Sequence, residues 1–163
     1  MSEATKSVFE YGSRWLRADF HLHTRADKEF SYTEEHDRFV TSYVEQLETA
    51  GIGLGVITNH NKFDADEFKA LRRRARRAGI GLLPGVELSV NDGQDYINQF
   101  LGVAFAGKVS AQYEQENGRT NGDLLSTLKT LEGYHRDFFI IFAHVEANSG
   151  LWKEISGGRM SEL

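Results

Sequence analysis

The sequence contains no cysteine among its 163 residues. Disulfides and thiolate metal sites are therefore excluded, and any metal ion would have to be bound by histidine and carboxylate side chains. No apolar run approaches the roughly 18 residues that a membrane helix needs. Residues 1–6 lack the apolar core of a secretory signal. We therefore expect a cytoplasmic protein that does not associate with a membrane.

Positive charge and proline are also scarce. The chain has 19 Lys and Arg residues against 24 Asp and Glu residues, so it lacks the electrostatic footprint of a general nucleic-acid or membrane binder. Pro84 is the single proline beside 16 glycines, which means that glycine must set most of the turns. Hydrophobic residues make up 40% of the chain, and a domain of this length can bury a sizeable core.

Hydrophobic periodicity predicts strands that alternate with helices in the first half of the chain. The predicted elements are, in order, a strand over 18–24, a helix over 36–50, a strand over 53–58, a helix over 65–78 and a strand over 82–90. Gly51 and Gly79 are expected to end the two helices, and Asp64 is expected to cap the second one. Repeated units of this kind with short connections predict a parallel sheet or barrel of the α/β class.

The second half of the chain has a less regular pattern. A helix is predicted soon after Gly93. Its apolar face would consist of Ile97, Leu101, Ala104 and Phe105. A further helix over 122–132 and a buried strand over 138–143 are predicted beyond it.

Side chains that can bind metal collect at the ends of the predicted strands. Four of the six histidines and one glutamate lie at or near such ends: His21, His23, His60, His144 and Glu87. Because side chains alternate along a strand, His21 and His23 are expected to point to the same side. Parallel α/β proteins build their sites at the C-terminal ends of strands. Imidazole combined with carboxylate suits Zn, Mn, Fe or Co, so we predict a metal site here.

Four short motifs in this order resemble the PHP (polymerase and histidinol phosphatase) domain family. They are Ala-Asp-Phe-His-Leu-His-Thr at 18–24, Val-Ile-Thr-Asn-His at 56–60, Leu-Pro-Gly-Val-Glu at 83–87 and Ile-Phe-Ala-His at 141–144. The resemblance implies a distorted, seven-stranded β/α barrel whose mouth holds one to three divalent ions, with zinc or manganese ahead of iron. It also implies a phosphoesterase in which a metal-bound hydroxide attacks phosphorus.

The resemblance assigns metal ligands by position in the motifs. His21, His23 and Glu87 would hold one ion, and Glu87 would share a second ion with His144. His60 would bind a third ion. His60 and Glu87 are also the residues to which the resemblance assigns a catalytic role.

The third ion would need a further ligand from the loop that follows the first strand. Glu29 is the first candidate for this ligand, and Asp27 is its competitor. The chain also departs from the family at this ion, because the family usually has Thr-Asp-His where this chain has Asn59 before His60.

Two expected pieces of the barrel are missing from the sequence. The segment after Val90 leaves no room for an expected strand with a further histidine, and no closing Asp-x-His motif follows the strand at 138–143. We therefore expect an incomplete barrel, with a lead-in over 1–17 and a PHP-like metal-site domain over 18–163. This domain would be truncated at its C-terminus and would lack one strand after Val90.

The sequence around the motifs is most similar to bacterial proteins in which a PHP domain precedes a large ATPase of the SMC/AAA type. This similarity implies a C-terminal ATPase domain as partner. It also implies a phosphoester substrate, with a polynucleotide favoured, as for a nuclease. The arginine-rich run at 71–77 is the single candidate phosphate-binding patch, and a solvated helix face is its favoured interpretation.

Two alternatives remain open. The first is a degenerate PHP domain that acts as a structural or regulatory module without catalysis, because ligands of the family are missing. The second is an amidohydrolase-type barrel, which also opens with His-x-His but would lack the Gly-Val-Glu strand.

Overall fold

A computed structural model describes residues 15–33, 35–89, 95–100, 124–133 and 138–143. The helices and strands within these ranges alternate as predicted over the first half of the chain. They are β1 (Arg17–Leu22), α1 (His36–Thr49), β2 (Ile52–Ile57), α2 (Ala65–Arg77), β3 (Gly81–Ser89), β4 (Asp95–Phe100), α3 (Leu124–Glu132) and β5 (Phe138–Phe142). Among these helices, none combines the length and the apolar character needed to cross a membrane.

The five strands form one sheet in the order β1-β2-β3-β4-β5. β1, β2 and β3 are parallel to one another, whereas β4 pairs antiparallel with both β3 and β5. β5 therefore runs in the same direction as the first three strands. The C-terminal ends of β1, β2, β3 and β5 consequently lie at the same edge of the sheet. The α/β class is confirmed for the described part of the chain.

The helix predicted soon after Gly93 is wrong for Asp95–Phe100, which is strand β4. Ile97 lies opposite Glu87 of β3 and opposite Ile141 of β5, so the backbone of β4 is hydrogen-bonded on both sides. Tyr, Ile and Phe in this hexapeptide are strand-forming residues, and pairing on both sides outweighs a spacing that also fits a helix. Leu101, Ala104 and Phe105 lie outside the described residues. A strand thus does follow Val90, but it is antiparallel to β3 and carries no histidine.

The sequence signals at the helix ends are confirmed. Gly51 and Gly79 follow α1 and α2 with φ values of 69° and 76°, a left-handed conformation that glycine adopts without steric cost. The Asp64 side chain accepts hydrogen bonds from the backbone amides of Asp66 at 3.1 Å and Glu67 at 2.9 Å. This cap satisfies two of the free amides at the start of α2.

The hydrophobic core lies between the sheet and the two long helices. Its largest buried side chains come from α1, α2, α3 and β3: Phe39, Phe68, Leu71, Leu88 and Leu131. The hydrophobic periodicity that predicts α1 corresponds to a buried apolar stripe at Phe39, Val44 and Leu47. Because α1 and α2 cover the sheet, the strand ends and the loops that follow them are fixed relative to one another.

Candidate metal centre

Three segments meet at the C-terminal edge of the parallel strands. His21 lies in β1 and His23 directly follows this strand, while His60 lies in the loop after β2. A parallel bridge pairs His60 with Glu87 of β3. The Glu87 amide donates to the Asn59 carbonyl at 3.2 Å, and the Asn61 amide donates to the Glu87 carbonyl at 2.7 Å. These bonds fix His60 beside Glu87 beyond the end of β2.

Asn61 makes this close approach sterically possible. Its φ of 50° is left-handed, a conformation that asparagine tolerates better than most residues. The Asn-His-Asn sequence therefore turns the chain away from the sheet immediately after His60. The local sequence thus accounts for the position of this histidine at the strand end.

Nitrogen atoms of three imidazole rings converge on one oxygen of Glu87. The Nε2 atoms of His21, His23 and His60 lie 2.8, 3.4 and 3.5 Å from Glu87 Oε2. The Glu87 side chain is fully buried, while the three rings are 25%, 26% and 16% exposed. A buried carboxylate is costly unless it is paired, and here His21 Nε2 is close enough to form a hydrogen bond with it. The prediction that His21 and His23 point to the same side is confirmed.

A second buried carboxylate, Asp27, lies on the other side of two of these rings. Its Oδ2 atom is 2.8 Å from His23 Nδ1 and 2.9 Å from His60 Nδ1. The His60 amide donates to the same oxygen at 2.7 Å, and the Glu29 amide donates to Oδ1 at 2.9 Å. The His23 and His60 rings are stacked, with centroids 4.8 Å apart and an interplanar angle of 10°.

The pKa of the Asp27 carboxyl is lowered from 3.8 to about 2. Burial alone would raise this pKa, because it disfavours the charged form. The hydrogen bonds from the amides of Glu29 and His60 and from the rings of His60 and His23 more than offset burial. Asp27 is therefore an ionised carboxylate at neutral pH.

Two overlapping groups of side chains could hold a metal ion. One consists of His21, His23 and Glu87, and the other of His23, Asp27 and His60; within each group the potential ligand atoms lie within 4.8 Å of one another. The first group is the set predicted for the first ion. Imidazole nitrogen with carboxylate oxygen is a suitable donor set for zinc, manganese or iron, so the residues present fit such an ion.

The other predicted ligands have different outcomes. The Glu29 side chain is exposed, and it is Asp27 that contacts His23 and His60. Glu29 instead contributes its backbone amide to Asp27. His144 lies outside the described residues, although it follows β5, whose C-terminal end is at the edge that carries the other histidines.

The arginine-rich run lies in the second half of α2. Arg72, Arg73, Arg76 and Arg77 are exposed, while Leu71 and Ala75 are buried. The solvated helix face predicted for this run is thus confirmed. α2 starts at the edge of the sheet that carries the histidines and runs away from it, so the arginines lie towards the opposite edge.

Sequence reasoning missed a polar network that holds the loop after β1. The Thr24 hydroxyl donates to Glu67 Oε1, and Asn59 Nδ2 donates to the Thr24 hydroxyl oxygen at 2.8 Å. Asn59 Oδ1 also accepts from the Thr24 amide at 2.7 Å. All three residues are buried, with exposures of 0% for Thr24, 2% for Asn59 and 6% for Glu67. The signal for this network was the polar residue Glu67 on the apolar face of α2, one position before Phe68.

Tyr43 of α1 supports the same loop from the other side. Its hydroxyl donates to the His23 carbonyl at 2.9 Å. Burial raises the pKa of the Tyr43 hydroxyl, and the charges of Asp19 and Glu67 raise it further. Tyr43 therefore stays protonated and able to donate to the backbone of His23.

Comparison of the chain with family models, with curated proteins and with solved structures finds no match.

Proposed function

We propose that this protein is a metal-dependent phosphoesterase domain of the PHP type. The observation that carries the proposal is the convergence of His21, His23 and His60 on Glu87 at the C-terminal edge of three parallel strands. Zinc or manganese is the proposed ion, with iron as a further option, because both ligand types suit these metals. His144 is proposed as a further ligand on the resemblance to the PHP family.

The chemistry of the donor set supports hydrolysis. A divalent ion bound by such residues lowers the pKa of water and neutralises charge on phosphoryl oxygens. The chain's own residues hold the ligands rigidly: Glu87 and His60 are fixed by backbone pairing, and the end of β1 is anchored by Tyr43. The histidine rings are partly exposed, so a substrate can approach them from solvent. No serine or cysteine nucleophile is needed for this reaction.

A phosphodiester, with a polynucleotide as the favoured case, is the proposed substrate class. This choice rests on the resemblance to PHP domains that precede an ATPase. The exposed arginines of α2 lie towards the opposite edge of the sheet from the histidines. They are therefore proposed as an accessory contact to the substrate or to a partner domain, and not as part of the catalytic centre.

The experiment combines metal analysis with a phosphodiesterase assay on the full chain. Elemental analysis is expected to find bound zinc, manganese or iron, and added Mn²⁺ or Zn²⁺ is expected to support hydrolysis of bis-p-nitrophenyl phosphate. His21→Ala should remove this activity, whereas the exposed Asp66→Asn should retain it. Activity that survives His21→Ala would contradict the proposed site.

Metal binding without hydrolysis would favour the second candidate, a PHP-like module with a structural or regulatory role. The strand that follows β3 is antiparallel and brings no histidine to the sheet edge, which favours this candidate. Single-stranded and double-stranded oligonucleotides should be tested beside the small diester before catalysis is rejected.

A further inference from the structure

Asp27 accepts four hydrogen bonds from this chain alone. Three donors meet at Oδ2: the His60 amide at 2.7 Å, His23 Nδ1 at 2.8 Å and His60 Nδ1 at 2.9 Å. The Glu29 amide donates to Oδ1 at 2.9 Å. Oδ2, the oxygen that faces the two rings, therefore has no acceptor site to spare. Asp27 is also only 3% exposed, so nothing outside the chain can reach it without moving these groups.

We infer that Asp27 is a positioning residue that orients the His23 and His60 rings, and not a metal ligand. An ionised carboxylate can only accept hydrogen bonds, so each Nδ1 that contacts it must carry the proton. The other ring nitrogen, Nε2, is then the metal-binding atom. The inference rests on the proposed metal centre, and it assigns Asp27 the role that outer carboxylates have in many metal sites.

The distances on the Glu87 side of the rings agree with this tautomer. His23 Nε2 and His60 Nε2 lie 3.4 and 3.5 Å from Glu87 Oε2, beyond ordinary hydrogen-bond length. With Nδ1 protonated, each Nε2 presents a lone pair towards a carboxylate oxygen. Ligand atoms at Zn–N distances of about 2.0–2.1 Å in a tetrahedral site are roughly 3.3 Å apart, close to this spacing. For His23 this spacing fits two ligands of one ion, in line with the group formed by His21, His23 and Glu87.

Direct binding of an ion through Asp27 Oδ2, the oxygen that contacts both rings, would disturb the backbone. At least one of its three donors would have to leave Oδ2 to make room for a cation. The His60 amide has the shortest of these bonds, and a buried amide left without an acceptor is destabilising. A ligand role for Asp27 is therefore less favourable than a role in orientation.

The first test measures histidine tautomers by ¹⁵N NMR in the full, metal-free chain. His23 and His60 are expected to carry the proton on Nδ1 in the wild type. In Asp27→Ala neither ring keeps this acceptor, so at least one ring should lose its Nδ1–H preference. Asp66→Ala, an exposed matched change, should leave the tautomers unchanged. A wild type with the proton on Nε2 would overturn the inference without any need for a variant.

The second test counts bound ions. The wild type and Asp27→Asn are expected to bind the same number of Zn²⁺ ions per chain, with the affinity of the variant reduced about 10- to 100-fold. Loss of one whole ion per chain would show that Asp27 is a ligand and would overturn the inference. A wild type that binds no metal but has both Nδ1–H tautomers would contradict the proposed function and leave the orienting role supported.

Discussion

Two buried glutamates, Glu67 of α2 and Glu87 of β3, contact different kinds of chemical group. Glu67 accepts from the Thr24 hydroxyl and from the Ala26 amide at 3.2 Å, and Arg25 Nε lies 3.7 Å from its other oxygen. Glu87 instead faces ring nitrogens of three histidines. Hydroxyl, amide and guanidinium groups are donors at every physiological pH. An imidazole nitrogen is a donor or an acceptor according to its proton, and it also binds metal.

This difference separates a structural carboxylate from a candidate ligand. The Glu67 cluster is complete with the chain's own groups and joins α2 to the loop after β1. The Glu87 cluster contains several atoms that compete for protons and would gain from a shared cation. Burial alone would not have distinguished the two residues, since both are almost inaccessible. Substitutions in each cluster should therefore separate metal binding from stability.

Glu87→Gln is expected to have the largest effect, and on metal binding. The amide keeps the shape of the side chain but removes the charge that faces the ion, so the affinity for Zn²⁺ should fall by more than the roughly 100-fold that outer-shell changes cause. Phosphodiesterase activity should fall to background. Isothermal titration and the bis-p-nitrophenyl phosphate assay measure the two effects. Unchanged zinc affinity in a folded variant would mean that Glu87 is not a ligand.

Glu67→Ala is expected to act on stability instead. The Thr24 hydroxyl and the Ala26 amide would lose their acceptor, and a buried cavity would be left. The free energy of unfolding should therefore fall by about 2–3 kcal/mol. Urea unfolding of the metal-free chain measures this loss. Zinc affinity of the folded variant should be unchanged. Asp66→Ala, one residue earlier and 95% exposed, is the control and should shift stability by no more than about 0.5 kcal/mol.

Asp27 is an intermediate case, because its donors are two amides and two imidazoles. The pKa of its carboxyl is lowered in the folded state from 3.8 to about 2, so its contribution to stability is complete above about pH 5 and is lost as pH falls through 2. The loss should be roughly 2 kcal/mol, since one pKa unit corresponds to about 1.4 kcal/mol. Urea unfolding of metal-free protein at several pH values measures it. Asp27→Asn should lose less stability over the same range, and an equal loss would assign the effect to other groups.

The elements that sequence patterns could predict are those with strong local signals. The stripe of α1, the cap at Asp64 and the glycines after both helices depend on near neighbours, and each is confirmed. β4 was not predicted, although its pairing with β3 is local, with Asp95 opposite Ser89; its second partner, β5, is distant along the chain. Local spacing favoured a helix there, and pairing with two neighbouring strands decided otherwise.

The candidate site was predictable to a similar extent. His21, His23, His60 and Glu87 could be grouped because parallel strand ends share one edge of a sheet. The choice between Asp27 and Glu29 could not be made from spacing, because the turn after β1 decides which carboxylate faces inward. In that turn the Asp27 amide donates to the Thr24 carbonyl at 2.8 Å, which directs Asp27 towards His23 and His60.

Asn59→Asp is expected to have the smallest of these effects. It tests the contacts of Asn59 with Thr24, which join the loop that carries His60 to the Glu67 cluster. It introduces the residue usual in the PHP family and removes the Nδ2 donor from the Thr24 hydroxyl oxygen. The single Thr24 hydroxyl proton would then face carboxylates at positions 59 and 67, so unfolding should become easier by about 1 kcal/mol. Urea unfolding measures this effect.

A double-mutant cycle identifies its cause. In Asn59→Asp combined with Glu67→Gln, the new amide at position 67 can donate to the Thr24 oxygen while the Thr24 hydroxyl donates to the carboxylate at position 59. The two changes should then compensate, with a coupling on the order of 0.5–3 kcal/mol. Simple additivity would mean that Thr24 does not link the residues. Compensation would show that this chain accommodates asparagine before His60 because the Glu67 carboxylate already accepts the Thr24 hydroxyl proton.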